Sequence, residues 1–199
     1  MYRDDHMRKQ VAQEAARLMS EHGIEDFQHA KRKAAERLGY THLRSLPRNI
    51  EIEDALQSYQ RIFKSDVQDT WLHTMRMLAI DLMEMLSDYE PRLTGNVLSG
   101  NVNEHSDITM HIFTDCVEDM MKLLHKHDID YAESIADVKY GNRIEQLPKL
   151  SFYYLDVHVQ LRVFPHQGIR EAPLSPVDGK PMRRASIAKV KELVETDNI

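Results

Sequence analysis

Near Pro91 the hydrophobic period of this chain changes from about 3.6 to 2, and few folds accommodate both halves. Before that point apolar residues recur three or four apart. Met7, Val11, Ala15, Leu18 and Met19 share one helical face, and Gly23 follows as a natural stop. Asp26 can accept the backbone hydrogen bonds that open a second helix, striped by Phe27, Ala30, Ala34 and Leu38 and closed by Gly39. Pro47 and Asn49 punctuate the next link. Ile52, Leu56, Tyr59 and Phe63 then give a third stripe, and Trp71, Met75, Leu78, Leu82, Met85, Leu86 and Tyr89 a fourth. Four amphipathic helices with short links predict a helical domain over residues 1–90.

Beyond Pro91 alternation takes over. Leu93 to Leu98, with Gly95 inside it, reads as a short strand ending in a turn at Ser99-Gly100. The run from Asp107 to Phe113 alternates strictly, placing Ile108, Met110 and Ile112 on one face. Val117 to His127 returns to helical spacing, and Asp130 to Val138 reads as a further strand. Ser151 to Phe164 is one long alternating run, with Leu155, Val157, Val159, Leu161 and Val163 on one face. Pro173, Pro176 and Pro181 surround the turn signal Asp178-Gly179, and a short helix from about Ser186 to Val194 ends the chain. The expected fold class is α+β: a helical domain (1–90), a mixed sheet with flanking helices (91–165), and a C-terminal arm with a short helix (166–199).

Composition narrows the partners. The chain carries a formal net charge of −6, to which 1–90 contribute −3, 91–165 contribute −4 and 166–199 contribute +1. Nonspecific duplex binding depends on Lys and Arg replacing condensed counterions, so long duplex DNA is not an expected partner. A small anion held by a few local groups remains open. No apolar run approaches the roughly 18 residues of a membrane span. The N-terminus lacks a signal peptide's apolar core, and the lone Cys116 excludes an internal disulfide. The cytoplasm is the expected compartment, and a homo-oligomer is compatible with this composition.

Two strands carry polar groups opposite their apolar faces. One presents Asp107, Thr109 and His111, the other Asp156, His158 and Gln160. If the strands are neighbours, Asp107 and Asp156 can converge at one rim. Two adjacent carboxylates repel unless a cation or a shared proton lies between them, and Mg²⁺ bound through carboxylates and phosphate oxygens satisfies that arrangement. The same pattern also describes an exposed sheet face with solvated side chains. Ser99-Gly100 would let the backbone approach a phosphate closely.

Leu98-Ser99-Gly100 followed by His105-Ser106-Asp107-Ile108-Thr109 resembles the nucleotidyltransferase superfamily, whose archetype is DNA polymerase beta. Its motif is a Gly-Ser pair at a strand end, then a strand bearing Asp-x-Asp or Asp-x-Glu, with a third carboxylate from a later strand. Here Ser99-Gly100 reverses the usual order, Thr109 stands where the second carboxylate belongs, and Asp156 is the candidate third. The resemblance covers about 91–165. It implies transfer of a nucleoside monophosphate from a nucleoside triphosphate to a hydroxyl acceptor, an RNA or a protein, with two Mg²⁺ ions. Asp107 and Asp156 would be the catalytic carboxylates. Asp107, Thr109, His111 and Asp156 would surround the metals, with Glu104 a further recruit, while Ser99 and Gly100 would hold the triphosphate. The alternative is a catalytically inactive nucleotide-binding or protein-interaction module on the same fold.

Lys180, Arg183 and Arg184 in the arm could neutralise phosphate charge if the arm folds back over the sheet; it could equally pack on the helical domain or a second subunit. Lys31, Arg32, Lys33 and Arg37, with Arg44 and Arg48, form a basic cluster that either contacts a polyanion such as tRNA or is a solvated helix face. His125 and His127 lie two apart on an expected helix, which argues against zinc. Neighbouring acids argue against a reactive Cys116.

Overall fold

The structure, a computed structural model, describes residues 2–24, 26–40, 46–63, 66–103 and 105–197, with the side chains of 2–4, 60–63, 66–68 and 197 not described. It divides into two compact units. Unit 1 is Met1–Gln68 with the short segments Asn103–His105 and Pro176–Asp178; unit 2 is Asp69–Val102, Ser106–Ser175 and Gly179–Ile199.

Unit 1 contains α1 (Tyr2–His22), α2 (Phe27–Arg37) and α3 (Asn49–Phe63). The stripes fold as their spacing predicts: Val11, Ala15, Leu18, Ala30, Ala34, Ile52 and Leu56 form one buried cluster. Asp26 caps α2, its carboxylate accepting from the His29 amide at 2.6 Å. Gly23 ends α1 at φ 63°, and a Cβ there would stand 2.7 Å from the His105 ring, so a side chain is excluded twice over.

The fourth helix, α4 (Asp66–Met85), does not share that core. Leu72, Met75, Ala79, Leu82, Met83 and Leu86 pack instead with the sheet, so the units divide near residue 69 and not at 90. Unit 2 also holds β1 (Arg92–Thr94), α5 (Gly95–Ser99), β2 (Ile108–Phe113), α6 (Val117–Lys126), β3 (Tyr131–Tyr140), β4 (Arg143–Tyr154), β5 (Val157–Phe164) and α7 (Ile187–Asp197). The five-stranded sheet runs β1-β2-β5-β4-β3; β2 and β5 are parallel and the other pairs antiparallel. The fold is α+β with a helical N-terminus.

Every second residue of the two central strands enters one core. Ile108, Met110 and Ile112 of β2 and Val157, Val159, Leu161 and Val163 of β5 bury against α4, α6 (Met120, Leu124) and α7 (Val190, Val194). The opposite face of the same strands is polar at one end and closes at the other on a small cluster of Phe113, Phe164, Val138 and Leu147.

Two expectations about strands need correction. Leu93 to Leu98 is not one strand: β1 stops at Thr94, and Gly95 at φ 71° turns the chain into α5. Ser151 to Phe164 is not one run either. Leu155 (φ 47°) and Asp156 (φ 64°) make a two-residue turn, and β4 and β5 form a hairpin around it. Alternation continues in sequence through that turn, which is why period alone did not reveal it.

Candidate functional site

Parallel pairing of β2 with β5 decides which polar side chains meet. Ile108 pairs with Val159, so one step back Asp107 stands beside His158, two residues beyond Asp156. Among the described residues, the Asp107 carboxylate is met from β5. Its Oδ2 lies 2.9 Å from His158 Nδ1 and accepts a short hydrogen bond from Gln160 Nε2. Tyr153 of β4, 71% exposed, sets its ring 5.2 Å from the His158 ring. The rim therefore carries the Asp107 carboxylate, two side chains directed at it and an exposed aromatic ring. Asp156, expected to share a cation with Asp107, is an exposed turn residue.

Thr109 continues the face one register row inward, opposite Gln160, where Thr94 Oγ1 donates to its carbonyl at 3.1 Å. A Cβ on Gly95 would lie 3.6 Å from Thr109 Cβ. The glycine directly after the strand end is thus Gly95, in contact with the polar face. Its position behind Leu93-Thr94 was visible in the sequence, but the expected strand ran past it.

Ser99 and Gly100 have a different setting from the one expected. They end α5: the Gly100 amide bonds Asn96 O at 2.9 Å and Ser99 Oγ donates to the same carbonyl at 3.2 Å. A helix C-terminus presents carbonyl oxygens, and a cation satisfies them. Buried Arg76 does so, with Nε 3.2 Å from Val97 O and Nη2 3.4 Å from Leu98 O. That polarity suits a cation and opposes an anion.

His111, one row further in, is fully buried. Its Nδ1 accepts from Arg184 Nε at 2.9 Å, which puts the ring proton on Nε2. Burial, reinforced by the Arg184 and Arg162 guanidinium groups, pushes the imidazole down to about 2, so the ring is neutral. Arg184 is also fixed by its neighbours. Its guanidinium stacks over Phe113 and Phe164 at 5.0 and 4.9 Å, and Nη1 donates to Gly168 O at 2.9 Å and Glu171 O at 3.1 Å. Of the three arm cations expected near phosphate, Arg184 alone is packed in this way; Lys180 and Arg183 are exposed.

The donor set does not fit the two Mg²⁺ ions that the resemblance implies. Asp107 already accepts from Gln160 and lies against His158 Nδ1, Thr109 adds no charge, and His111 offers one nitrogen used as an acceptor and one bearing hydrogen. Among the described residues no three His, Cys, Asp or Glu side chains group as metal ligands, His125 and His127 included. Glu104 lies outside the described residues.

Lys31 is buried and donates to Asn49 Oδ1 at 2.6 Å, so it leaves the basic face proposed for a polyanion, while Arg37 reaches Glu14 at 3.4 Å. Arg44 lies outside the described residues. The Cys116 thiol donates to Glu118 at 3.4 Å. No described helix is long and apolar enough to cross a membrane.

No family model matches the chain, and no curated protein matches it. A solved structure of Cid1, described by its RNA terminal uridylyl transferase activity, is similar at 15% identity with a TM-score of 0.29. That similarity covers 50% of this chain and 31% of Cid1, so it spans about a third of the longer protein.

Proposed function

We infer that unit 2 is a nucleotidyltransferase-like module that binds a phosphorylated nucleotide on the polar face of its sheet without a two-ion transfer centre. The observation that carries this is the Asp107 carboxylate, held by His158 and Gln160 where a metal centre needs a second and a third acid. A carboxylate beside an amide and an exposed Tyr153 ring supplies acceptor, donor and stacking surface, the groups that read a base. Arg162, four residues further along than His158, sits roughly 13 Å away along the strand, the reach of a triphosphate tail. Ser99 and Gly100 have no part in this arrangement.

Titration of the four nucleoside triphosphates, with and without Mg²⁺, tests it. Saturable binding is expected, weakened about tenfold or more in Asp107→Ala, with no pyrophosphate released. Pyrophosphate release that disappears in Asp107→Ala would instead establish the transferase, and its hydroxyl acceptor, an RNA end or a protein, would then be sought. Absence of saturable binding by all four nucleotides overturns the nucleotide module.

A further inference from the structure

We propose that the polar face of unit 2 holds an oxoanion site centred on Arg162, with Arg184 and Lys149 as charged partners and His111 as a neutral donor, and that its ligand is a phosphate-type group. Register places Arg92, His111, Arg162 and Lys149 in one row across β1, β2, β5 and β4. Arg184 reaches the same row from the arm, through its bond to His111. Three buried donors there find no acceptor among the described residues: Arg162 Nε, Arg184 Nη2 and His111 Nε2. Buried donors are almost always satisfied, and several left open side by side mark a place where an acceptor is missing.

Charge points the same way. Arg162 and Lys149 have no ion-pair partner among the described residues, and Arg92 has Glu90 at 3.5 Å. The acid next along this face, Asp107, is engaged two rows away. Burial lowers the proton affinity of both Arg162 and Arg184, the response of cations withdrawn from water without a counter-charge. In a chain of net charge −6 such a cluster is not a by-product of basic composition. A phosphate-type group supplies both what the donors lack and the opposite charge, and guanidinium forks match its oxygens. Donors carried by two strands and by an arm stacked above them suit a tetrahedral ligand better than a planar carboxylate.

The site rests on the nucleotide module only for the source of its phosphate, which is either a nucleotide tail or free inorganic phosphate. Calorimetric titration at constant ionic strength separates these, using inorganic phosphate, pyrophosphate, a nucleoside triphosphate and the unphosphorylated nucleoside. Pyrophosphate is expected to bind saturably, about tenfold more weakly in Arg162→Gln and about threefold more weakly in Lys149→Gln. The unliganded thermal midpoint of Arg162→Gln is expected to equal or exceed that of the unchanged protein, since an uncompensated cation has gone; should that variant not fold, Lys149→Gln carries the test. Unchanged pyrophosphate affinity in these variants, or no saturable binding by the unchanged protein, overturns the site. Inorganic phosphate binding as tightly as the triphosphate identifies free phosphate as the ligand; a triphosphate about tenfold tighter identifies the tail. Pyrophosphate binding that needs Arg162, without any nucleotide preference, upholds this site and removes the nucleotide module. Nucleotide binding indifferent to Arg162 does the reverse.

Discussion

The two faces of the sheet in unit 2 are built from the same strands and obey different rules. On one, Ile108, Met110 and Ile112 interleave with Val159, Leu161 and Val163 and are sealed by three helices; any apolar side chain of suitable volume satisfies such a surface. On the other, Asp107, His111 and Gln160 depend on named partners, and donors of His111, Arg162 and Arg184 remain open among the described residues. Stability is thus concentrated on one side of the pleat and selectivity on the other. A substitution on each side of one strand tests that division most strongly. Leu161→Ala removes a fully buried side chain and should cost about 3 kcal/mol, read as a lower urea midpoint at unchanged slope. Its neighbour Gln160→Ala, on the polar face, should cost less than about 1 kcal/mol. Equal losses would mean that the polar face is as much a core as the other.

Acid separates the faces next. The His111 imidazole titrates near 2 in the folded protein against about 6.5 unfolded, because burial and two guanidinium groups oppose its cation. Between those values the unfolded chain binds a proton that the folded one does not. The stability from this group is therefore complete above pH 6.5 and declines as pH falls below it, by up to about 1.4 kcal/mol per pH unit. His111→Asn keeps an acceptor for Arg184 and removes the titration. The difference between the two proteins' denaturation midpoints should then narrow steadily from pH 6.5 to 4.5. A difference that stays constant with pH would place the ring in a far wetter setting. Nothing on the apolar face can produce this slope.

What the sequence disclosed follows the same division. Period gave α1 to α4, β2, α6 and α7, and it separated Ile108, Met110 and Ile112 from Asp107, Thr109 and His111, because burial on one side leaves a mark every second residue. Partner choice leaves no such mark. That Asp107 would meet His158 depends on a parallel register set by strand residues 51 apart, together with a turn at Leu155-Asp156 that alternation conceals. Arg162 was readable as the next residue on the Asp156, His158, Gln160 face, yet that it meets no counter-charge among the described residues is a property of the assembled sheet alone. The boundary between the units was misplaced for a related reason: the α4 stripe is as amphipathic as those of α1 to α3, and no local signal says which core it will join.

The smallest effect bears on the residue whose role changed most. Leu155 and Asp156 both hold left-handed backbone, where a side chain on Cβ is strained and where Asn-Gly is the preferred pair for a two-residue hairpin. If Asp156 serves the turn, Asp156→Gly should raise the unfolding free energy by about 0.5 kcal/mol, read as a higher urea midpoint, and leave nucleotide affinity where it was; Leu155→Asn, at an exposed position, should do the same. If Asp156 instead contributes charge to the rim beside Asp107, removing its carboxylate must change nucleotide affinity while the turn still gains. A gain in stability with unchanged affinity therefore assigns the residue to the hairpin, and a gain accompanied by changed affinity assigns it to the site as well.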